Sequence, residues 1–198
     1  MLDSMTSFVR TADERRLRED HARQMVGAVL GAVRYVDIDY AREDAAPDLA
    51  GPRWIVDVAE WDRPSWRYEG FDSVDFGVEL ECVDGRVFSV TWQTPGWTEG
   101  LVFWEQPLLG CAVLPDSDIA IWDVTRRSGW AGFAGETVMD VQLDYKPQDG
   151  GFWCPRATVG FARGTVELLM GEARAPGWTL QPSADNIAVV YRQPPVTA

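Results

Sequence analysis

The side chains able to carry a reaction are few in kind. One histidine, His21, and three cysteines, Cys82, Cys111 and Cys154, make up the whole imidazole and thiol supply of the chain. A Ser-His-Asp or Cys-His arrangement would need His21 as its base, and no G-x-S-x-G elbow is present. His21 falls four residues after Leu17 and four before Met25, on the apolar stripe of a helix, where a structural role is expected. An odd cysteine count without C-x-x-C spacing signals neither a disulfide framework nor a zinc knuckle. Gly132-Phe133-Ala134-Gly135 lacks the G-K-[ST] of a phosphate loop and precedes a strand. The sequence therefore assigns no catalytic residue, no cofactor and no metal.

Carboxylates and aromatics are the abundant reagents. There are 31 Asp and Glu against 18 Lys and Arg, a formal net charge of −13, and ten tryptophans. Glu79 and Glu81 alternate with apolar residues and read as a solvated sheet face, and Asp116 and Asp118 read as an acidic turn. A carboxylate-dependent hydrolase would need two acids with displaced pKa values in one pocket. The segment from Glu60, Trp61 and Asp62 through Trp66 and Tyr68 to Glu69 mixes charges and large aromatics around Pro64. That composition suits a contact loop, and equally a strand packed over a sheet. Trp97 and Trp178 each follow Pro-Gly at matching places in the chain, where they either pin a turn or form a paired binding surface.

The elements that must position these groups are mostly strands. Thr11-Ala12-Asp13-Glu14 is a capping box opening a helix over residues 11–26. Beyond it, alternation with a period of two dominates. Residues 27–40 align with 132–145, so that Val36, Ile38 and Tyr40 match Val141, Leu143 and Tyr145 as core-facing residues. Asp37 and Asp39 fall on the outer face of that strand. Residues 78–87 align with 157–166 as a hairpin, with Asp84-Gly85 signalling a type I′ turn. Pro95-Gly96-Trp97-Thr98 recurs as Pro176-Gly177-Trp178-Thr179, and residues 101–107 recur as 188–194.

Four matches in one order predict a mainly β (α+β) fold: a single compact domain, 1–198, of two internally duplicated antiparallel strand and hairpin units plus an N-terminal helix. Unit one spans 27–107 with an insertion at 41–72, a connector covers 108–131, and unit two spans 132–194. The connector should hold one strand, 119–124. Between residues 37 and 85, fourteen carboxylates face only Arg42, Arg53, Arg63 and Arg67, so most of the net charge lies there.

Such acidity opposes sequence-independent binding of nucleic acid and docking on anionic lipid. It serves solubility, and it suits a basic protein partner. With no secretory h-region and no long apolar run, the expected location is cytoplasmic. The leading expectation is a non-enzymatic interaction protein that blocks or escorts a basic partner, as an immunity protein or inhibitor would. A small-ligand or carbohydrate binder using aromatic side chains is the alternative, and a carboxylate-dependent hydrolase the third. Glu60, Trp61, Asp62, Trp66, Tyr68, Trp97 and Trp178 are the candidate binding residues.

Overall fold

The computed structural model describes residues 9–45, 50–93, 100–148 and 150–192. Its first element, α1 (Ala12–Arg23), is opened by the expected capping box: the Glu14 amide donates to Thr11 Oγ1 at 3.1 Å, and Glu14 Oε2 accepts the Thr11 amide. The helix stops at Arg23, three residues short of expectation, so Met25 leaves the helical spiral and the Leu17-His21-Met25 stripe never forms. Leu17 is exposed and His21 half-buried, while Ala22 and Met25 enter the core.

Two six-stranded sheets follow. Sheet one contains an antiparallel meander of β1 (Leu30–Ile38), β5 (Gly77–Cys82), β6 (Val87–Gln93) and β7 (Gly100–Trp104). On the free side of β1 it gains β8 (Ile119–Asp123) from the connector, and then β2 (Arg53–Trp54), which runs parallel to β8. Sheet two contains a meander of β9 (Asp140–Leu143), β12 (Arg156–Phe161), β13 (Gly164–Arg174) and β14 (Thr179–Arg192). It is extended by β4 (Phe71–Val74) and β3 (Arg67–Tyr68). A small pair, β10 (Lys146–Gln148) and β11 (Gly151–Trp153), lies outside both sheets. Two short helices, α2 (Arg42–Ala45) and α3 (Val58–Asp62), fall within the insertion. The inner faces of the two sheets meet in one hydrophobic cluster, and α1 lies against β7 and β9.

The two meanders share one connectivity, strand for strand as the sequence matches pair them, yet their residues are offset. Val33 stands opposite Leu80, and Val141 stands opposite Val159, so Val141 corresponds to Val33 rather than Val36. An odd slip exchanges faces. Val33, Tyr35 and Asp37 occupy the inner side of β1, with Asp37 1% and Asp39 7% exposed, while Ile38 and Tyr40 reach solvent. This reverses the expected assignment. The physical reason is that both faces of β1 are covered: the connector lays Leu108 and Val113 over Val36 on the outer side. Alternation cannot reveal which face is inner when both carry apolar residues. The same cover buries Glu79, whose carboxylate accepts the Leu108 amide at 2.6 Å, so Glu79 is not part of a solvated face.

The 82–85 turn also differs. Gly85 has φ +86 but Asp84 does not have positive φ, and the Gly85 amide donates to the Cys82 carbonyl at 2.9 Å. That is a type I turn closed by a left-handed glycine, because the hairpin carries one more residue than a type I′ loop allows.

The insertion is a stitch between the sheets, giving β2 to sheet one and β3 and β4 to sheet two. Two of its tryptophans are packing residues. Trp66 is fully buried and Trp61 nearly so, each edge-on to Trp122. Of the two readings open for this segment, packing over the sheet describes Trp61 and Trp66, which do not form an exposed contact surface. Among the described residues, no helix is long and apolar enough to cross a membrane.

Candidate functional site

Two polar centres sit where the sheets meet. The first is closed. Tyr35 of β1 and Tyr191 of β14 both donate to Asp72 Oδ2 of β4, at 2.6 and 2.7 Å. Trp130 Nε1 donates to the Tyr35 hydroxyl at 3.1 Å. Burial pushes the Asp72 carboxyl upward, and the two tyrosine hydrogen bonds oppose that shift. Burial raises both tyrosines as well, so they stay protonated donors. With Asp72 5% exposed and Tyr35 fully buried, this centre ties sheet one to sheet two and admits no ligand. Gly129 packs directly on the Tyr191 ring, where a Cβ would collide with three ring carbons. Gly129→Ala is therefore expected to displace Tyr191 and to lower stability by about 1–3 kcal/mol in urea denaturation.

The second centre opens to solvent as a cleft of about 240 Å³. Its carboxylates are Asp37 at the inner end of β1, Asp75 just after β4, and Glu172 of β13. Asp37 Oδ1 accepts the Asp75 amide at 2.9 Å, and Oδ2 accepts the Ser65 hydroxyl at 2.9 Å. The Asp75 carboxylate in turn accepts the Tyr40 hydroxyl and the Asn186 amide. The Asp75 carbonyl takes the Trp92 indole N–H at 2.7 Å, fixing this corner to β6. The two carboxylates thus accept four hydrogen bonds and the Asp75 backbone a fifth, a preorganised arrangement rather than a flexible acidic loop.

The electrostatics are unbalanced. Burial pushes the Asp37 carboxyl up to about 7, the Asp75 charge adds to the effect, and the hydrogen bonds from Asp75 and Ser65 only partly offset it. Burial also raises Asp75, against the hydrogen bonds of Tyr40 and Asn186, and the charges of Asp185 and Glu172 raise it further. Glu172 at the rim pairs with Arg174. Among the described residues, neither Asp37 nor Asp75 has an ion pair with an arginine or lysine. Buried Asp39, by contrast, is clamped by both Arg53 and Arg42.

Three carboxylates line this cleft. It is poorly arranged as an acid-base pair, although an Asp near 7 beside a second carboxylate is what a hydrolase would use. Both Asp37 oxygens are engaged internally and the residue is 1% exposed, so its proton is not presented to a substrate. Among the described residues, no group of three or more His, Cys, Asp or Glu is placed to hold a metal ion.

Of the residues the sequence nominated, Tyr68 and Trp178 come together here. Tyr68 lines the cleft and stacks on Phe71 at 5.5 Å. Trp178 lies over Tyr68 at 5.8 Å and 29°, is 56% exposed, and adopts φ +51, unusual for a bulky residue. Glu60 is a structural acceptor, taking two N–H groups of Arg53 at 2.8 Å each. Asp62 is exposed at the end of α3, and Trp97 lies outside the described residues, as does the Pro95 to Thr98 match. Asp37, Tyr40, Ser65, Asp75 and Asn186 were not nominated. They are scattered over 150 positions of chain, and the one signal available, the Asp37-Asp39 alternation, was assigned to the opposite face.

No protein-family model, no curated protein and no solved structure matches the chain. What the cleft takes up follows from its own chemistry.

Proposed function

We propose that this is a non-enzymatic binding protein whose acidic cleft receives a cationic group, the guanidinium or ammonium of a basic protein partner. One observation carries the reading: Asp37 and Asp75 line an open cleft in which, among the described residues, neither is paired with an arginine or lysine, and burial first, then the Asp75 charge, pushes the Asp37 carboxyl up to about 7. A bound cation supplies the missing charge and converts an electrostatic cost into binding free energy. The volume, about 240 Å³, suits one side chain better than a drug-sized molecule. The net charge of −13 would speed and orient the approach of a basic partner. Blocking or escorting such a partner in the cytoplasm, as immunity proteins and inhibitors do, is the biological form of this proposal.

A cation held beside Asp75 and Glu172 favours the ionised form of Asp37 through its field, without touching it, so affinity should rise with pH. Calorimetric titration with a hexa-arginine peptide is expected to show several-fold tighter binding at about pH 8 than at about pH 6. Asp75→Asn should weaken it about tenfold, and Asp116→Asn, which removes an exposed acid outside the cleft, should leave it within about twofold. Equal losses in the two variants would mean that overall surface charge, not the cleft, does the binding.

A second reading has its own support in the exposed Trp178-Tyr68 stack beside the cleft. A sugar ring lying on Trp178 with its hydroxyls toward Asp75 and Asn186 would make this a carbohydrate binder. Quenching of Trp178 emission by neutral monosaccharides, absent in Trp178→Ala and unchanged by salt, would favour that reading over the basic partner.

A further inference from the structure

On another face of sheet one, a groove of about 540 Å³ runs between the Ile55-Val56 segment and the turn at Thr125–Arg127. We infer that it binds a small organic anion, with a carboxylate or phosphate held by Arg126 and Arg127 and an apolar body lying on Val56.

The argument begins with arginine pairing. In so acidic a chain most described arginines are matched by carboxylates: Arg34 by Glu79 and Glu81, Arg53 by Asp39 and Glu60, Arg86 by Asp84. Arg126 and Arg127 have no ion pair among the described residues, and both are exposed. Arg127 is positioned by stacking instead, with its Cζ 4.4 Å from the Trp61 ring centroid. The Arg127 carbonyl accepts Arg67 Nη2 at 2.8 Å, and Arg67 lies 5.0 Å over Trp66, so the Arg127 backbone is itself tied down. Stacking fixes the plane of a guanidinium while leaving its N–H fork for a planar acceptor.

One acid lines the groove, Asp123, and its Oδ1 is occupied by the Thr125 amide and hydroxyl at 3.1 and 2.6 Å. The opposite wall is apolar: Ile55 is buried, the Trp61 ring nearly so, and Val56 is 82% exposed with nothing covering it. A volume of this size belongs to the range of small-molecule sites, and a fork of cations beside an uncovered apolar wall selects an amphipathic anion. This site is independent of the acidic cleft.

Calorimetry with four probes tests it: indole-3-acetate, phenyl phosphate, indole-3-acetamide and inorganic phosphate. Indole-3-acetate, phenyl phosphate or both are expected to bind, with the better of them naming the anionic group. The neutral amide and inorganic phosphate should each be at least about tenfold weaker, the first lacking the charge and the second the apolar body. Arg126→Gln, which touches no packed ring, should lose about tenfold with an unchanged melting temperature, and Arg126→Gln with Arg127→Gln should lose more. The inference is overturned if no probe binds, if the amide binds as well as the acid, or if Arg126→Gln keeps full affinity.

Discussion

Asp37→Asn is expected to make this protein more stable above neutral pH while weakening the binding of cations. Asp37 has its carboxyl pushed up to about 7, far above the ordinary Asp range, with burial the largest cause. The folded state therefore holds this proton more tightly than the unfolded chain does. Stability from this group is fully present below about pH 4, falls as pH rises, and levels off once pH passes about 7. At about 1.4 kcal/mol per pKa unit, a rise of about three units means that the ionised residue costs the fold on the order of 4 kcal/mol at pH 8. Asparagine keeps the oxygen that accepts the Asp75 amide, and the Ser65 hydroxyl can turn to accept from the new N–H group. The variant should match the wild type near pH 4 and exceed it by roughly that amount near pH 8, in urea denaturation followed by tryptophan emission. Asp75 is raised in the same direction, so the difference between the two proteins, not the wild-type profile alone, isolates Asp37. A variant less stable than wild type near pH 8 would remove the electrostatic strain on which the cleft reading stands. Stability gained together with binding lost is the pattern expected of a residue kept for function.

Local physics was legible in the sequence and relative placement was not. The Thr11 capping box rests on contacts within a few residues, the connector strand and the strands of both meanders are marked by local alternation, and they form where pattern puts them. Patterning failed at β1, whose outer side is buried by Leu108 and Val113, more than seventy residues away in sequence. From alternation alone Asp37 faces water, whereas the chain turns it inward beside Asp75. The cleft inherits that error, because Asp37, Ser65, Asp75 and Asn186 meet only after the insertion has crossed from one sheet to the other. Tyr68 and Trp178 were found because aromatic side chains in turn-rich segments stand out by composition, whether or not their neighbours are known. Composition could not separate them from Trp61 and Trp66, which belong to the same class of residue and lie in the core.

That separation has a large measurable consequence. Trp66→Ala is expected to cost about 3–5 kcal/mol, the range for emptying a buried aromatic site. Trp66 is fully buried, with its ring edge-on to Tyr35 at 5.0 Å, Trp122 at 5.8 Å and Trp61 at 6.1 Å. Tyr35 is the hub of the Asp72 network, so the cavity would open beside the polar tie between the sheets. A domain of this size has roughly 5–15 kcal/mol in total, so the alanine variant should lose a large part of its stability. Trp66→Phe should cost much less. It leaves an aromatic ring among the three neighbours, and it deletes an indole N–H that has no hydrogen-bond partner among the described residues. Trp178→Ala supplies the contrast: a half-exposed ring whose loss should change stability by under about 1 kcal/mol. Thermal melts of the three variants separate the cases. If Trp66→Ala melted within a few degrees of wild type, Trp66 would not be a core residue, and the contact-loop reading of the insertion would return. If it melts far lower, a partner lost on Trp66→Ala reports unfolding, and recognition at the cleft is read from Trp178→Ala, Asp75→Asn and Asp37→Asn instead.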